Sequence, residues 1–233
     1  MAAVQVQKKS KASTASATSH NIVLDASPTQ GNLLIVCAVA DDYINTPSGW
    51  SLAASANDWT GTSLFYKIAG SGESATITVT IPSSTSMDLA AFEYSGMAAS
   101  SPLDRTATAV AQSDPVSTGT TTTTAQANEL LVALVGLSRT TAVIASWSNS
   151  FVQEYDLEST GSSINVELGV ALRTVAATGT YSSAADLTSY QNDHSSGLIA
   201  TFKIAAGGGA EYFSGIRLGM NRCTSRGMPT QRP

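Results

Sequence analysis

The residues able to do chemistry in this chain are few, and their spacing is uninformative about a reaction. There are two histidines, His20 and His194. His194 stands within Asp193-His194-Ser195, which contains the residue types of a nucleophilic triad. A triad needs those groups converging in space, whereas neighbours on an extended chain point to opposite sides. Glu154, Asp156 and Glu158 alternate along one stretch and should line one strand face. A glycosidase sets two carboxylates across a sugar; a row of like charge along a strand reads instead as a guard against edge-to-edge pairing. Asp41-Asp42 and Asn57-Asp58 offer calcium the oxygen ligands it takes on loops, without the spaced Asp/Asn/Gly run of a dedicated calcium loop. Gly207-Gly208-Gly209 lacks the lysine and following helix of a phosphate-binding loop. Cys37 and Cys223 are too few for a disulfide framework or a zinc site. Cys37 lies in an apolar run and should pack as a small hydrophobe; pairing with Cys223 is left open. The expectation is a protein that is not an enzyme, with no cofactor and no metal. Among Trp50, Trp59, Tyr66 and Trp147, which could stack on sugar rings, Trp50 follows Gly49 and should enter the core. Trp59 lies in the turn Ala56-Asn57-Asp58-Trp59-Thr60-Gly61 and is the candidate glycan contact.

The elements that would position such residues are strands. Apolar residues make up 42% of the 233, enough for a sizeable core, while charged residues are only 12%, about half the usual share of roughly 25%. Ser, Thr, Gly and Ala fill the deficit. Thr76-Ile77-Thr78-Val79-Thr80-Ile81 alternates with the period of a half-buried strand, and Pro82 should end it. Further strands are expected over 21–26, 32–40, 51–55, 63–68, 88–94, 129–137, 151–157, 165–175 and 197–205. The longest apolar runs, 33–40 and 130–137, are far short of the about twenty residues a membrane helix needs. The N-terminal stretch lacks the apolar segment of a secretory signal. A soluble protein made in a cytoplasm is therefore expected.

The two halves resemble one another. Asn32-Leu33-Leu34-Ile35-Val36 matches Glu129-Leu130-Leu131-Val132-Ala133. Trp50 recurs as Trp147 or Phe151. Leu64 to Ala69 is echoed by Val170 to Val175, each with a basic residue, Lys67 or Arg173, after an apolar run. Asp88 to Gly96 is echoed by 197–205. The expected fold is all-β: an antiparallel two-sheet, jelly-roll-like sandwich from two similar four-stranded halves sharing one core. The expected organisation is an extended N-terminal arm (1–20), a sandwich (21–204, halves 21–112 and 113–204), a Gly-rich linker (205–211) and a basic tail (212–233).

Charge is unevenly placed. Lys8, Lys9 and Lys11 sit at one end and Arg217, Arg222, Arg226 and Arg232 at the other, while the body between holds five bases against all 17 acids. Basic arms on an acidic body can dock on acidic neighbours, copies of the chain included. The expected partner-binding residues are Lys8, Lys9, Lys11, Tyr212, Phe213, Arg217, Arg222 and Arg226. An acidic body would repel phosphate, so direct nucleic-acid binding is not expected.

The order Gly31-Asn32-Leu33-Leu34, Gly49-Trp50, Phe65-Tyr66-Lys67-Ile68-Ala69, Glu93-Tyr94-Ser95-Gly96 and Pro102-Leu103-Asp104 resembles a β-sandwich module of phage virion proteins and large bacterial surface proteins. The resemblance covers about residues 15–204 and brings no catalytic residues. It implies display on a particle or cell surface: a capsid decoration or cement protein, or a fibre or tail component, contacting other virion proteins and copies of itself, for example as a trimer. The alternative is a carbohydrate-binding or host-adhesion module, and behind it a hydrolase, against which the scarcity of histidine and of paired functional motifs argues. A virion location is expected, or else a bacterial cell surface.

Overall fold

The computed structural model describes residues 2–110, 112–138, 143–160, 164–188 and 194–206, with Asp58 described in its backbone alone. These residues form strands and no helix. The first half contains β1 (Val4–Lys11), β2 (Ala17–Val23), β3 (Leu33–Ala40), β4 (Ser51–Asp58), β5 (Thr60–Ile68), β6 (Thr76–Thr85) and β7 (Met87–Ser95). The second contains β8 (Leu103–Val110), β9 (Val116–Thr120), β10 (Glu129–Ser138), β11 (Ile144–Trp147), β12 (Val152–Glu158), β13 (Val166–Val175), β14 (Ser182–Leu187) and β15 (Ser195–Lys203).

The halves have one winding. The first builds a five-stranded sheet β1-β7-β3-β5-β4 and a small sheet β2-β6; the second builds β8-β15-β10-β13-β12 and β9-β14-β11. In each, the first and last strands pair in the large sheet and the second and next-to-last pair in the small one. This is the rolled-up order of a jelly roll, so the expected antiparallel sandwich is present. Register fixes the equivalences. Leu34 pairs with Lys67 and Leu131 with Arg173, which makes Lys67 and Arg173 counterparts. Ser51 pairs with Tyr66 and Val152 with Leu172, so Trp50 corresponds to Phe151 rather than Trp147. The same turn precedes both: Trp50 N–H donates to Pro47 O and Phe151 N–H to Ser148 O.

Three expectations are corrected. The halves contain seven and eight strands, not four each. The segment 1–20 is not a free arm: β1 pairs with β7 and β2 with β6. The second half begins with β8, about ten residues before the expected boundary. β1 reads Val-Gln-Val-Gln-Lys-Lys-Ser-Lys and is mostly exposed. An edge strand on a sheet that is covered elsewhere needs little apolar alternation, which is why it looked like an arm.

The two large sheets pack face to face. β1 lies over β12 and β4 over β8, the reciprocal arrangement of a two-fold interface within one chain. Leu33, Ile35, Cys37 and Val39 of β3 meet Leu130, Val132 and Leu134 of β10, with Phe92 and Phe202, in this central core. The alternate residues Val36, Ala38 and Ala40 face the small sheet, against Ile22, Ile77 and Val79. Leu131 and Ala133 likewise pack outward on Phe151. β3 and β10 are thus covered on both faces, and this is why they read as unbroken apolar runs. Cys37 is a core residue whose thiol burial pushes up; Cys223 lies outside the described residues.

At the centre, Gly136 occupies the position of Val39 in the other half. A Cβ on Gly136 would fall 2.0 Å from Thr62 Oγ1 and 2.7 Å from Val39 Cγ2, atoms of the first half. Gly136→Ala should therefore cost about 1–3 kcal/mol by overpacking, read as a lower midpoint in chemical denaturation; an unchanged midpoint would contradict this packing.

Candidate functional site

Several polar residues of the sequence elements 31–34, 65–69, 93–96 and 102–104 are structural braces. Glu93, buried in β7, accepts hydrogen bonds from the Asn32 side chain, the Thr29 N–H and the Gln7 side chain. Burial alone would raise its pKa, but these donors hold it below the ordinary carboxylate range. Asn32 and Glu93 belong to two separate sequence elements, so this bond explains their joint occurrence. Lys67 pairs with Glu73 at 2.9 Å and lies over the Trp50 ring at 5.7 Å. Asp104 accepts the Ala125 N–H and stands 3.4 Å from Arg105 and 3.8 Å from Lys203.

A surface site appears where β3 ends and the β4–β5 hairpin turns. Asp41, Asp42, Tyr43, Asn57, Trp59 and Gly61 line a hollow of about 320 Å³ there. Gly61 makes it: a Cβ would lie 2.2 Å from Asp42 O, so only glycine lets the 41–42 turn pass against β5. Asp42 holds that turn, its Oδ1 accepting the Tyr43 N–H and its Oδ2 the Ser83 N–H. Trp59 stands at the hairpin tip with φ +62°, a left-handed conformation costing roughly 1–2 kcal/mol for a residue with a Cβ. Its ring stacks on His194 of the second half, centroids 5.4 Å apart at 23°, and Gln112 Nε2 lies 3.1 Å from His194 Nδ1. With one face on His194 and the residue 76% exposed, the other indole face is open to solvent. Tyr43 is 69% exposed beside it. The hollow thus combines an open aromatic face with amide, phenol and carboxylate groups.

The sequence candidates fare differently. Trp59 is exposed as expected, and Asp41, Asp42 and Asn57 join it. Asp42, weighed as a calcium ligand, gives both oxygens to backbone donors, and the described residues contain no cluster of three His, Cys, Asp or Glu placed to hold a metal. Lys8 and Lys9 pair with Glu154 and Asp25, and Lys11 donates to Asn21 O. These three lysines hold β1 on its own body rather than forming a free basic arm, a correction that follows from the pairing of β1 with β7. Tyr212, Phe213, Arg217, Arg222 and Arg226 lie outside the described residues, as does Asp193. His20 is buried, its Nε2 donating to Ala17 O and Thr85 O. Tyr43 was missed because nothing in the linear sequence shows that it lies beside Trp59.

The row Glu154, Asp156, Glu158 is also tied into the structure. Glu154 pairs with Lys8, and Asp156 accepts the Ile144 N–H. Glu167 of β13 is buried with neither carboxylate oxygen hydrogen-bonded. Burial, then the neighbouring Asp156, Glu158 and Asp88 carboxylates, push its pKa up to about 9. Burial also raises Asp88 to about 7, against the Ser13 N–H that its Oδ1 accepts at 2.9 Å.

Comparison of the chain with protein-family models, curated proteins and solved structures gives no match.

Glu167 and Asp88 hold their protons more tightly folded than unfolded. Their contribution to stability is full below the ordinary carboxylate pKa and is lost as pH rises through about 7 for Asp88 and about 9 for Glu167. Glu73 and Glu93 act oppositely: their pKa values are lowered, so their contribution is lost as pH falls below the ordinary carboxylate range. Thermal midpoints should peak at mildly acidic pH and decline toward pH ~9, and Glu167→Gln should flatten the decline. A midpoint rising steadily from mildly acidic to alkaline pH would contradict this assignment.

Proposed function

We propose that the chain is a structural and adhesive module of a phage virion, a capsid decoration protein or a fibre or tail component, which holds a surface saccharide in the hollow beside Trp59. The observation that carries the adhesive part is the open indole face of Trp59, kept at the surface in a left-handed backbone conformation and backed by His194. The outer face of the indole takes no part in the packing of the chain. A pyranose presents C–H groups to an aromatic face and hydroxyls to its rim. Asn57, Asp41 and Tyr43 supply that rim, and a hollow with a few convergent polar groups is the usual form of such a site. The carboxylates favour a neutral or amine-bearing sugar over an acidic one. The resemblance to virion and surface modules supports the setting.

Two measurements test this. On a glycan array the protein should bind neutral or amino-sugar glycans, and Trp59→Ala should weaken binding at least about tenfold, ~1.4 kcal/mol, with a smaller loss for Tyr43→Ala. No binding by the wild type, or equal binding by Trp59→Ala, overturns the adhesive role. Purified particles should contain the protein, and particles without it should lose stability or adsorption; its absence from particles overturns the virion role.

A further inference from the structure

The two halves differ at one pair of counterpart residues in a way that packing does not require. In the first half the cation Lys67 is neutralised by Glu73, which also accepts the Gly70 N–H. Lys67 and Arg173 are counterparts by register, and β6 and β14 begin nine residues after each, at Thr76 and Ser182, so counting along the intervening loops sets Gly179 at the position of Glu73. The acid is therefore missing, and Arg173 has no carboxylate partner among the described residues. Instead it faces a hollow of about 420 Å³ lined by Asn149, Ser150, Thr180, Tyr181 and Ser182. These residues provide hydroxyl and amide groups and no acid. Glu154, which lines the adjoining groove, is paired with Lys8.

The guanidinium is held in place. Arg173 Nη1 donates to Asn149 O at 2.8 Å, and the group lies over the Tyr181 ring at 5.8 Å. One of its five N–H donors is used there, and the fork that remains suits an oxyanion. Asn149 is fixed in turn by its Nδ2 donating to Ser182 O. Asn149 and Ser150 both have positive φ, 57° and 59°. The counterpart of Ser150 is Gly49, at φ +79°, where a Cβ would lie 3.8 Å from Lys67 Nζ. The second half thus keeps a serine in a conformation that suits glycine, on the lining of the hollow that Arg173 faces. Strain of this kind concentrates at functional sites.

We infer that the Arg173 hollow binds a single oxyanion group, a carboxylate, sulfate or phosphate, on a polar carrier such as an acidic saccharide. The inference does not rest on the Trp59 hollow. Arg173 pairs with Leu131 near one end of β10, whereas His194 O accepts from Ser138 at the other, seven residues or roughly 23 Å away.

The test is titration of the full chain, followed by NMR shifts of the Arg173 and Ser150 resonances. The probes are inorganic sulfate, inorganic phosphate, a glucuronate oligosaccharide and a neutral oligosaccharide, with chloride at matched ionic strength as control. The Arg173 and Ser150 shifts should saturate with the oxyanions and not with chloride or the neutral sugar. Tighter binding of the glucuronate oligosaccharide than of the inorganic ions would assign the carrier; equal binding would assign the free ion. Gly179→Glu restores the acid of the first half, and its Cβ meets only the Tyr181 ring at ordinary contact distance, 3.4 Å. It should weaken oxyanion binding at least tenfold while the thermal midpoint without anion holds or rises. Arg173→Gln should lose binding as well. Saturation by chloride alike, or wild-type affinity in a folded Gly179→Glu or Arg173→Gln protein, overturns the inference.

Discussion

The packing of the two five-stranded sheets governs this molecule. Each jelly-roll half has a large sheet whose inner face is Leu, Ile, Val and Phe, and its own small sheet of two or three strands covers only the outer face. Left apart, each half would expose the row Leu33, Ile35, Val39 or the row Leu130, Val132, Leu134 to water. Burying a side chain of this kind contributes about 1.5–3 kcal/mol, so the halves gain far more by facing one another than any surface ion pair returns. The Thr62–Ser196 hydroxyl contact at 2.7 Å and the bare Cα of Gly136 mark how closely the sheets approach.

The Trp59 hollow follows from that arrangement, and the Arg173 hollow from the repeat. Trp59 belongs to the first half and the His194 beneath it to the second, so the display of the indole depends on the halves being docked. The Arg173 hollow arises from duplication followed by divergence. Both halves keep a cation at this position over an aromatic ring, Lys67 over Trp50 and Arg173 over the non-equivalent Tyr181, while among the described residues an acid pairs with Lys67 alone. Where a repeated fold departs from its own repeat without a packing reason, the departure points to function more directly than either copy alone.

Much of the fold was legible in the sequence, for identifiable reasons. Strands buried on both faces, β3 and β10, appear as apolar runs, and β6 as strict alternation. The repeat was visible because equivalent core positions keep equivalent residues. What was not legible were strands carrying little apolar signal. β1 and β9 are short or polar, and they are strands because a neighbour offers unpaired backbone groups; no linear pattern reports that. Likewise Trp59 could be expected at the surface from its turn. Its partners Tyr43, Asp41 and His194 come from a different connection and a different half, and only the three-dimensional path assembles them. The basic N-terminal residues misled because Glu154 and Asp25, their partners, lie far along the chain or across a turn.

The shared core can be tested by equilibrium unfolding in denaturant, followed by far-UV circular dichroism and by the fluorescence of two single-tryptophan variants. One would retain only Trp50, in the first half, and the other only Trp147, in the second. If the halves are one unit, all probes report a single transition with coincident midpoints. Separate midpoints for the Trp50 and Trp147 variants, with the dichroism following two steps, would show that the halves fold independently and would contradict the account.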